Sequence, residues 1–460
     1  MDYAEFIKSK SQHGLDSGFE PRFMPDFLFD FQSCLAYWAV RKGRCEILAD
    51  TGLGKTLMEL VFAQNVVEET NRPFMLATPI AVGQQILEHA ERFGIKANRT
   101  RDGKMTDEAC VWITNYQQLH KYDPSRFAGF AGDEAGCLKD EKSATKATVK
   151  EFTRQMRYRL LATATAAPND YHELGNASEV LGYLGYQDML SRFFKQVDSG
   201  GRRFGGMEGA KYRFRGHAEQ PFWSWVCSWA RSIRKPSDLG FDDSRFILPE
   251  LIEREIVVES SYRRPGTLFP TSANGIAEER QERRGSLKER CEMAAKIAIE
   301  HPGSTILWCD LNDEGDLIEK LIPGCVQVKG SMSDEKREEY LIGFARGQIK
   351  NLVLKKVIGA WGLNLQTCHN VVSFPTHSAE QDYQLVRRCW RFGQTNPVTV
   401  TRILCEGESH IMPNLRRKYQ QIDRMFESIN RHMKDAMHLA SSDYFPLKEE
   451  VPQWLSSTKS

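Results

Sequence analysis

The stretch LADTGLGKTL, residues 48–57, lies between two apolar runs, and its reading decides the fold of the whole chain. CEILAD (45–50) has the short, continuous apolar character of a buried strand. TLMELVFAQNVVEE (56–69) places Leu57, Leu60 and Val61 at helical spacing. The chain passes from strand to helix through Thr51, Gly52, Leu53 and Gly54. Glycines permit a sharp turn and close approach of backbone to a ligand. The free N–H groups at the start of the following helix attract an anion. Lys55 is then expected to reach the β and γ phosphates of a nucleotide, and Thr56 to hold Mg²⁺. The pattern GxxxxGK[ST] asks for a glycine at position 49, where this chain has Ala49.

Bulk properties narrow the setting. A chain of 460 residues exceeds one ordinary core, so two or three domains are expected. Hydrophobic residues are 41%, charged residues 27% and mean hydropathy is −0.48, a globular balance. The 62 Lys and Arg offset 61 Asp and Glu to a net charge of +1, so a nucleic-acid surface has to be a local patch. No apolar run reaches membrane-spanning length, and MDYAEFIKSKSQ at the start has no secretory core, which points to the cytoplasm and no membrane partner. Eleven scattered cysteines without a CxxC pair read as reduced thiols.

Two blocks share one rhythm of short apolar runs separated by helical patterns. The first holds CEILAD, PFMLATP (73–79), CVWITNY (110–116), FAGFAGDEA (127–135) and YRLLATAT (158–165). The second holds STILWCD (304–310), CVQVKG (325–330), IKNLVLKK (349–356), NVVSF (370–374) and VTVTRIL (398–404). The expected fold class is α/β, with two parallel sheets carrying helices on both faces. Boundaries are expected at 1–25 for an extension, 26–195 for the first lobe, 196–250 for a basic, Trp-rich insertion, 251–410 for the second lobe and 411–460 for a helical tail.

Two further elements complete a nucleotide site. GDEAG (132–136) ends a small-residue strand; Asp133 is expected to hold Mg²⁺ and Glu134 to activate water. QLVRRCWRFGQ (384–394) spaces Gln384, Arg388 and Arg391 by four and three, one stripe of a helix. Arginines there can neutralise charge on a transferring phosphate, an effect of about 10³–10⁵ in rate. A cleft shared by the two lobes would then open and close with hydrolysis.

With these residues in view, the chain resembles superfamily 2 helicases and translocases, specifically the Snf2-like group, and is closest to the compact forms carried by bacteriophages. The motifs run in the family's order across residues 26 to 410. LFDFQ (28–32) is similar to the adenine-reading element, which places Gln32 at the base. ADTGLGKT (49–56) resembles motif I, LATP (76–79) motif Ia, ITNYQQL (113–119) motif Ib, DEAG (133–136) motif II and LATATAAPN (161–169) motif III. VIGAWGLNLQ (357–366), with Gly362, resembles motif V, and QLVRRCWRFGQ resembles the Snf2-type motif VI. The resemblance implies tandem RecA-like domains, ATP with Mg²⁺, and catalytic roles for Lys55, Asp133, Glu134, Arg388 and Arg391. Gly136 stands where histidine is common, and Arg387 where an acidic residue is usual.

The resemblance also implies a phosphate track of Thr78, Asn115, Tyr116, Lys329, Gly330 and Asn364, residues that taken singly read as ordinary capping or turn positions. A second nucleic-acid candidate is GGRRFGGMEGAKYRFRGH (200–217), where Arg202, Arg203, Lys211, Arg213 and Arg215 interleave with Phe204, Tyr212 and Phe214. Trp223, Trp225 and Trp229 read as core. The expectation is a monomeric, DNA-stimulated ATPase that tracks duplex DNA, with a tail that braces the lobes or binds a protein partner. An RNA-directed helicase and an ATP-latched binding protein without turnover are the competing readings.

Overall fold

The computed structural model describes residues 16–79, 82–165, 170–196, 212–259, 276–359 and 364–440. Both apolar blocks form parallel sheets. In the first, strands β1 (Arg44–Ala49), β2 (Phe74–Thr78), β3 (Ala97–Arg99), β4 (Val111–Asn115), β5 (Gly129–Asp133), β6 (Tyr158–Thr163) and β9 (Ala230–Ile233) pair in the order β3-β4-β2-β5-β6-β1-β9. In the second, β10 (Leu251–Val258), β11 (Thr305–Cys309), β12 (Val326–Val328), β13 (Asn351–Lys355), β14 (Asn370–Ser373) and β15 (Val398–Cys405) take the order β10-β15-β14-β11-β13-β12. A hairpin of β7 (Phe194–Gln196) and β8 (Tyr212–Phe214) is antiparallel.

Helices cover both faces of each sheet, so the central strands β2, β4, β5 and β6 are buried along their whole length. That burial explains why they appear in the sequence as unbroken apolar runs and not as alternations. Each sheet carries one core on either face. The arrangement is two tandem RecA-like α/β lobes.

Two segments depart from the expected boundaries. The Trp-rich stretch belongs to the first lobe: the helix Glu219–Cys227 buries Trp223 and Trp225, and β9 pairs with β1 at the sheet edge. A four-residue edge strand after a Gly/Arg-rich stretch is too short to read from composition. Residues 16–25 also pack on this lobe, since the N–H groups of Ser17, Gly18 and Phe19 donate to the Lys42, Arg41 and Val40 carbonyls.

The tail forms one helix, Ile411–Ala440. Its first turns touch the second lobe: the Tyr419 hydroxyl donates to Asp382 at 2.7 Å and Lys418 Nζ to the His377 carbonyl at 2.8 Å. Farther along, Ile422, Met425, Phe426, Ile429 and Met433 enter the first lobe's core beside Trp223, Trp225 and Trp229. Arg234 pairs with Asp423 at 2.5 Å. The helix thus braces the lobes, and the apolar face open to a partner in the sequence reading is occupied within the chain. Residues 441–460 lie outside the described residues. Among the described residues no helix is long and apolar enough to cross a membrane.

Candidate functional site

The phosphate loop leaves β1 at Asp50 and enters the helix Lys55–Thr70. Gly52 and Gly54 both adopt positive φ, 87° and 84°, a conformation that side chains rarely allow. Lys55 is buried at the loop mouth, its Nζ donating to the Ala49 carbonyl at 2.9 Å. Thr56 is the second residue of the helix. Gln32 is committed to the protein on both sides: its Nε2 donates to the Leu53 carbonyl at 2.9 Å, and its Oε1 accepts the Phe29 N–H at 3.1 Å. It braces the loop in this state.

The carboxylate pair sits at the C-terminal edge of β5, where open α/β sheets bind ligands. Asp133 accepts the Thr78 hydroxyl at 3.1 Å, and its carbonyl accepts the Tyr116 hydroxyl at 2.7 Å. Burial, with the neighbouring Glu134, pushes the Asp133 carboxyl up to about 6. Glu134 holds φ 51° and ψ 49°, a left-handed conformation shared among described non-glycine residues only by Asn71. Such strain, of order 1–3 kcal/mol, marks a side chain aimed by its surroundings.

The second lobe meets this pair with the helix Ala379–Cys389. One Arg388 nitrogen donates to Gln384 Oε1 at 2.7 Å and lies 3.4 Å from Glu134 Oε1. Gln384, expected to touch nucleotide, therefore holds Arg388 in position through its carbonyl. Arg391 is held down to about 10 by burial and by repulsion from Arg388 and Arg387. It stays charged at neutral pH, close to Arg388, whose own counter-charge is Glu134. Phe392 covers the loop from above, 3.1 Å from where a Cβ on Gly52 would lie.

Several buried polar atoms at this cleft have no hydrogen-bond partner among the described residues: Glu134 Oε2, Arg391 Nε, Gln384 Nε2 and both Glu59 oxygens. Buried polar atoms are rarely left so. The donor set suits a magnesium triphosphate: a lysine and two arginines for the anion, with Thr56 and Asp133 for the metal.

Four residues were missed as site residues in the sequence: Arg387, Tyr383, Glu59 and Glu380. Arg387 donates to the Thr51 hydroxyl at 2.9 Å and pairs with Asp50, whose carboxylate also accepts the Tyr383 hydroxyl at 2.5 Å. Burial works against the Asp50 charge, but Arg387 and Tyr383 outweigh it and hold the carboxyl below its ordinary range. The i, i+4 spacing of Tyr383 and Arg387 could have signalled one face aimed at a strand end. Glu59, in the loop's own helix, is raised well above the carboxylate range by burial and by Asp133; nothing in its local pattern marks it. Glu380 packs against Gly136.

The residues of the expected phosphate track have varied settings. Thr78 and Tyr116 are buried behind Asp133 and face no surface, because their hydroxyls serve that carboxylate and its carbonyl. Asn115 caps the short helix Tyr116–Lys121, accepting the Gln118 N–H at 3.1 Å. Asn364 accepts the Gln366 N–H at 3.4 Å. Lys329 pairs with Asp316 at 2.9 Å and Glu319 at 3.6 Å, and Gly330 lies exposed beside it. Arg213 is exposed on β8, while Arg215 donates to the Phe194 carbonyl at 2.6 Å. Gly362, Arg202, Arg203, Phe204 and Lys211 lie outside the described residues.

The Helicase conserved C-terminal domain family matches residues 289–393. The chain is 25% identical over 213 residues to the DNA excision repair protein CSB of Oryza sativa subsp. japonica, covering 42% of this chain and 16% of that protein. It is 27% identical over 167 residues to the DNA repair and recombination protein RAD54-like of Drosophila pseudoobscura pseudoobscura, covering 35% of this chain and 21% of the relative. The chain thus spans about a fifth or less of these relatives' length. A solved structure, the Sulfolobus solfataricus SWI2/SNF2 ATPase core in complex with dsDNA, aligns with TM-score 0.43 and 17% identity over 84% of this chain and 90% of that one.

Proposed function

We propose that this chain, which belongs to the Snf2-like group of superfamily 2 helicases and translocases, hydrolyses ATP between its lobes and uses the cycle to move along duplex DNA. The observation that supports it best is the cleft itself: Glu134 of one lobe faces Arg388 of the other at 3.4 Å, ringed by buried polar atoms without partners.

The chemistry follows from the residues. The Thr78 hydroxyl orients the Asp133 carboxylate and the Tyr116 hydroxyl holds its backbone carbonyl. Thr56 and Asp133 would hold Mg²⁺, which would supply positive charge to offset that of the triphosphate. Glu134 has one oxygen near Arg388 and a second without a partner, suited to accept a proton from the attacking water. Arg388 and Arg391 stabilise charge on the transferring phosphoryl group. Loss of the γ-phosphate removes the anion that Arg388 and Arg391 would face, which favours lobe separation and converts hydrolysis into motion.

The relatives named for DNA repair favour DNA as the track. The test is phosphate release with no nucleic acid, duplex DNA, single-stranded DNA and RNA, together with displacement of a third strand from a triplex. Duplex DNA should stimulate most and the third strand should be displaced. Greater stimulation by RNA would replace this reading with an RNA-directed helicase. Tight ATP binding without stimulated turnover would replace it with an ATP latch.

A further inference from the structure

Gly136 and Glu380 belong to different lobes and occupy one space. Glu380 is the second residue of the arginine helix, and it is 3% exposed. Its carboxylate crosses the cleft, pairs with Lys139 and accepts the Thr165 hydroxyl at 3.4 Å. A Cβ on residue 136 would lie 2.7 Å from Glu380 Oε1, 3.3 Å from the Thr165 carbonyl and 3.4 Å from Thr163 Oγ1. The absent side chain at 136 is therefore the notch into which Glu380 fits. Lys139 ends the short helix that follows Glu134, and its carbonyl accepts the Asn176 amide at 2.5 Å. One carboxylate thus touches the loop behind the catalytic pair, the end of β6 and the helix that carries Arg388.

We propose that Glu380 is a positioning residue: through Lys139, Thr165 and the notch at Gly136 it sets the arginine helix in register over Glu134. Arg388 lies eight residues further along the same helix, about 12 Å at 1.5 Å per residue. A shift where Glu380 docks moves Arg387 and Arg388 with it. A buried carboxylate needs its cation and hydrogen bonds in place, so Glu380 tolerates one docked geometry and few others. The inference rests on the ATPase reading above for its link to turnover, but the docking contact can be tested without it.

The experiment uses the full chain and the variants Glu380→Ala, Glu380→Gln, Gly136→Ala and the double variant Gly136→Ala/Glu380→Ala. Two measurements are made: DNA-stimulated kcat and KM for ATP, and lobe closure around ADP–aluminium fluoride, read by energy transfer between fluorophores introduced as unnatural amino acids on each lobe. Glu380→Ala and Glu380→Gln should each lower kcat at least tenfold with KM within about threefold, and weaken closure, at near-wild-type melting temperature. Gly136→Ala should do the same, because its methyl meets the carboxylate. The double variant should be no worse than Glu380→Ala, since the collision has gone. Wild-type closure in both Glu380 variants, or a double variant whose losses simply add, overturns the proposal. A wild-type chain without stimulated turnover sinks the ATPase reading, and the closure measurement still decides the role of Glu380.

Discussion

Two sets of charged contacts join the lobes, one deep and one shallow. The deep set is Arg387 with Asp50, Arg388 with Glu134 and Glu380 with Lys139, in which five of the six side chains are at most 11% exposed. The shallow set is Glu338 with Arg99 at 2.8 Å and Arg101 at 3.0 Å, with side-chain exposures between 15% and 34%. Burying a charge costs several kcal/mol, recovered only when the partner is well placed. A pair open to water gains about 0–1 kcal/mol. The deep set is therefore the one able to report what occupies the cleft, while the shallow set adds little more than alignment.

That contrast breaks first at the catalytic end. Lys55→Ala, Glu134→Gln and Arg391→Ala should each abolish DNA-stimulated phosphate release, with losses of about 10³-fold or more in kcat for the arginine. Wild-type turnover by Glu134→Gln would end its assignment as the base. Next comes Arg387→Ala, which leaves Asp50 buried without its cation, a change of about 3–5 kcal/mol for a buried pair. It should lower the melting temperature and raise KM for ATP, and Asp50→Asn in the same chain should restore part of both. Full additivity of the two changes would show that the pair carries no coupling.

A third test separates burial from pairing. Glu46 in β1 is buried, its Oε2 has no partner among the described residues, and burial pushes its carboxyl up to about 8. The native state then keeps a proton that the unfolded chain has released, between its ordinary value of 4.5 and about 8. Stability from this group is present at low pH and falls as pH rises through that window. Glu46→Gln does not titrate, so its melting temperature should exceed wild type increasingly from pH 5 to pH 8; a constant difference refutes the shift. The smallest effect belongs to Glu338→Ala, at most about 1 kcal/mol in lobe association and fading with salt. A larger, salt-insensitive loss would place Glu338 with the deep set.

Most of the fold was legible because parallel strands buried on both faces leave continuous apolar runs, as in β2, β4 and β5. What escaped was β9, four residues whose place is set by pairing with β1. The phosphate loop, the carboxylate pair and the arginine stripe were readable because each needs fixed residue types at fixed local spacing. Arg387 and Glu380 were not, since each acts through a residue more than 200 positions away. The hydroxyl partners of Thr78 and Tyr116 were not legible for a related reason: a hydroxyl near a strand end serves a ligand or a neighbouring carboxylate equally well, and only tertiary placement pairs it.

The long helix Ile411–Ala440 has a mechanical consequence. The chain crosses between lobes once before β10, where Phe246 packs against Phe31 of the first lobe and Phe392 of the second at ring distances of 5.1 and 5.4 Å. It crosses again through this helix, anchored at Tyr419 on one side and at Phe426 and Met433 on the other. A door hung on two pins swings about the line joining them and cannot slide. On the cycle proposed above, the lobes have to part with both connections kept, which narrows the paths open to them.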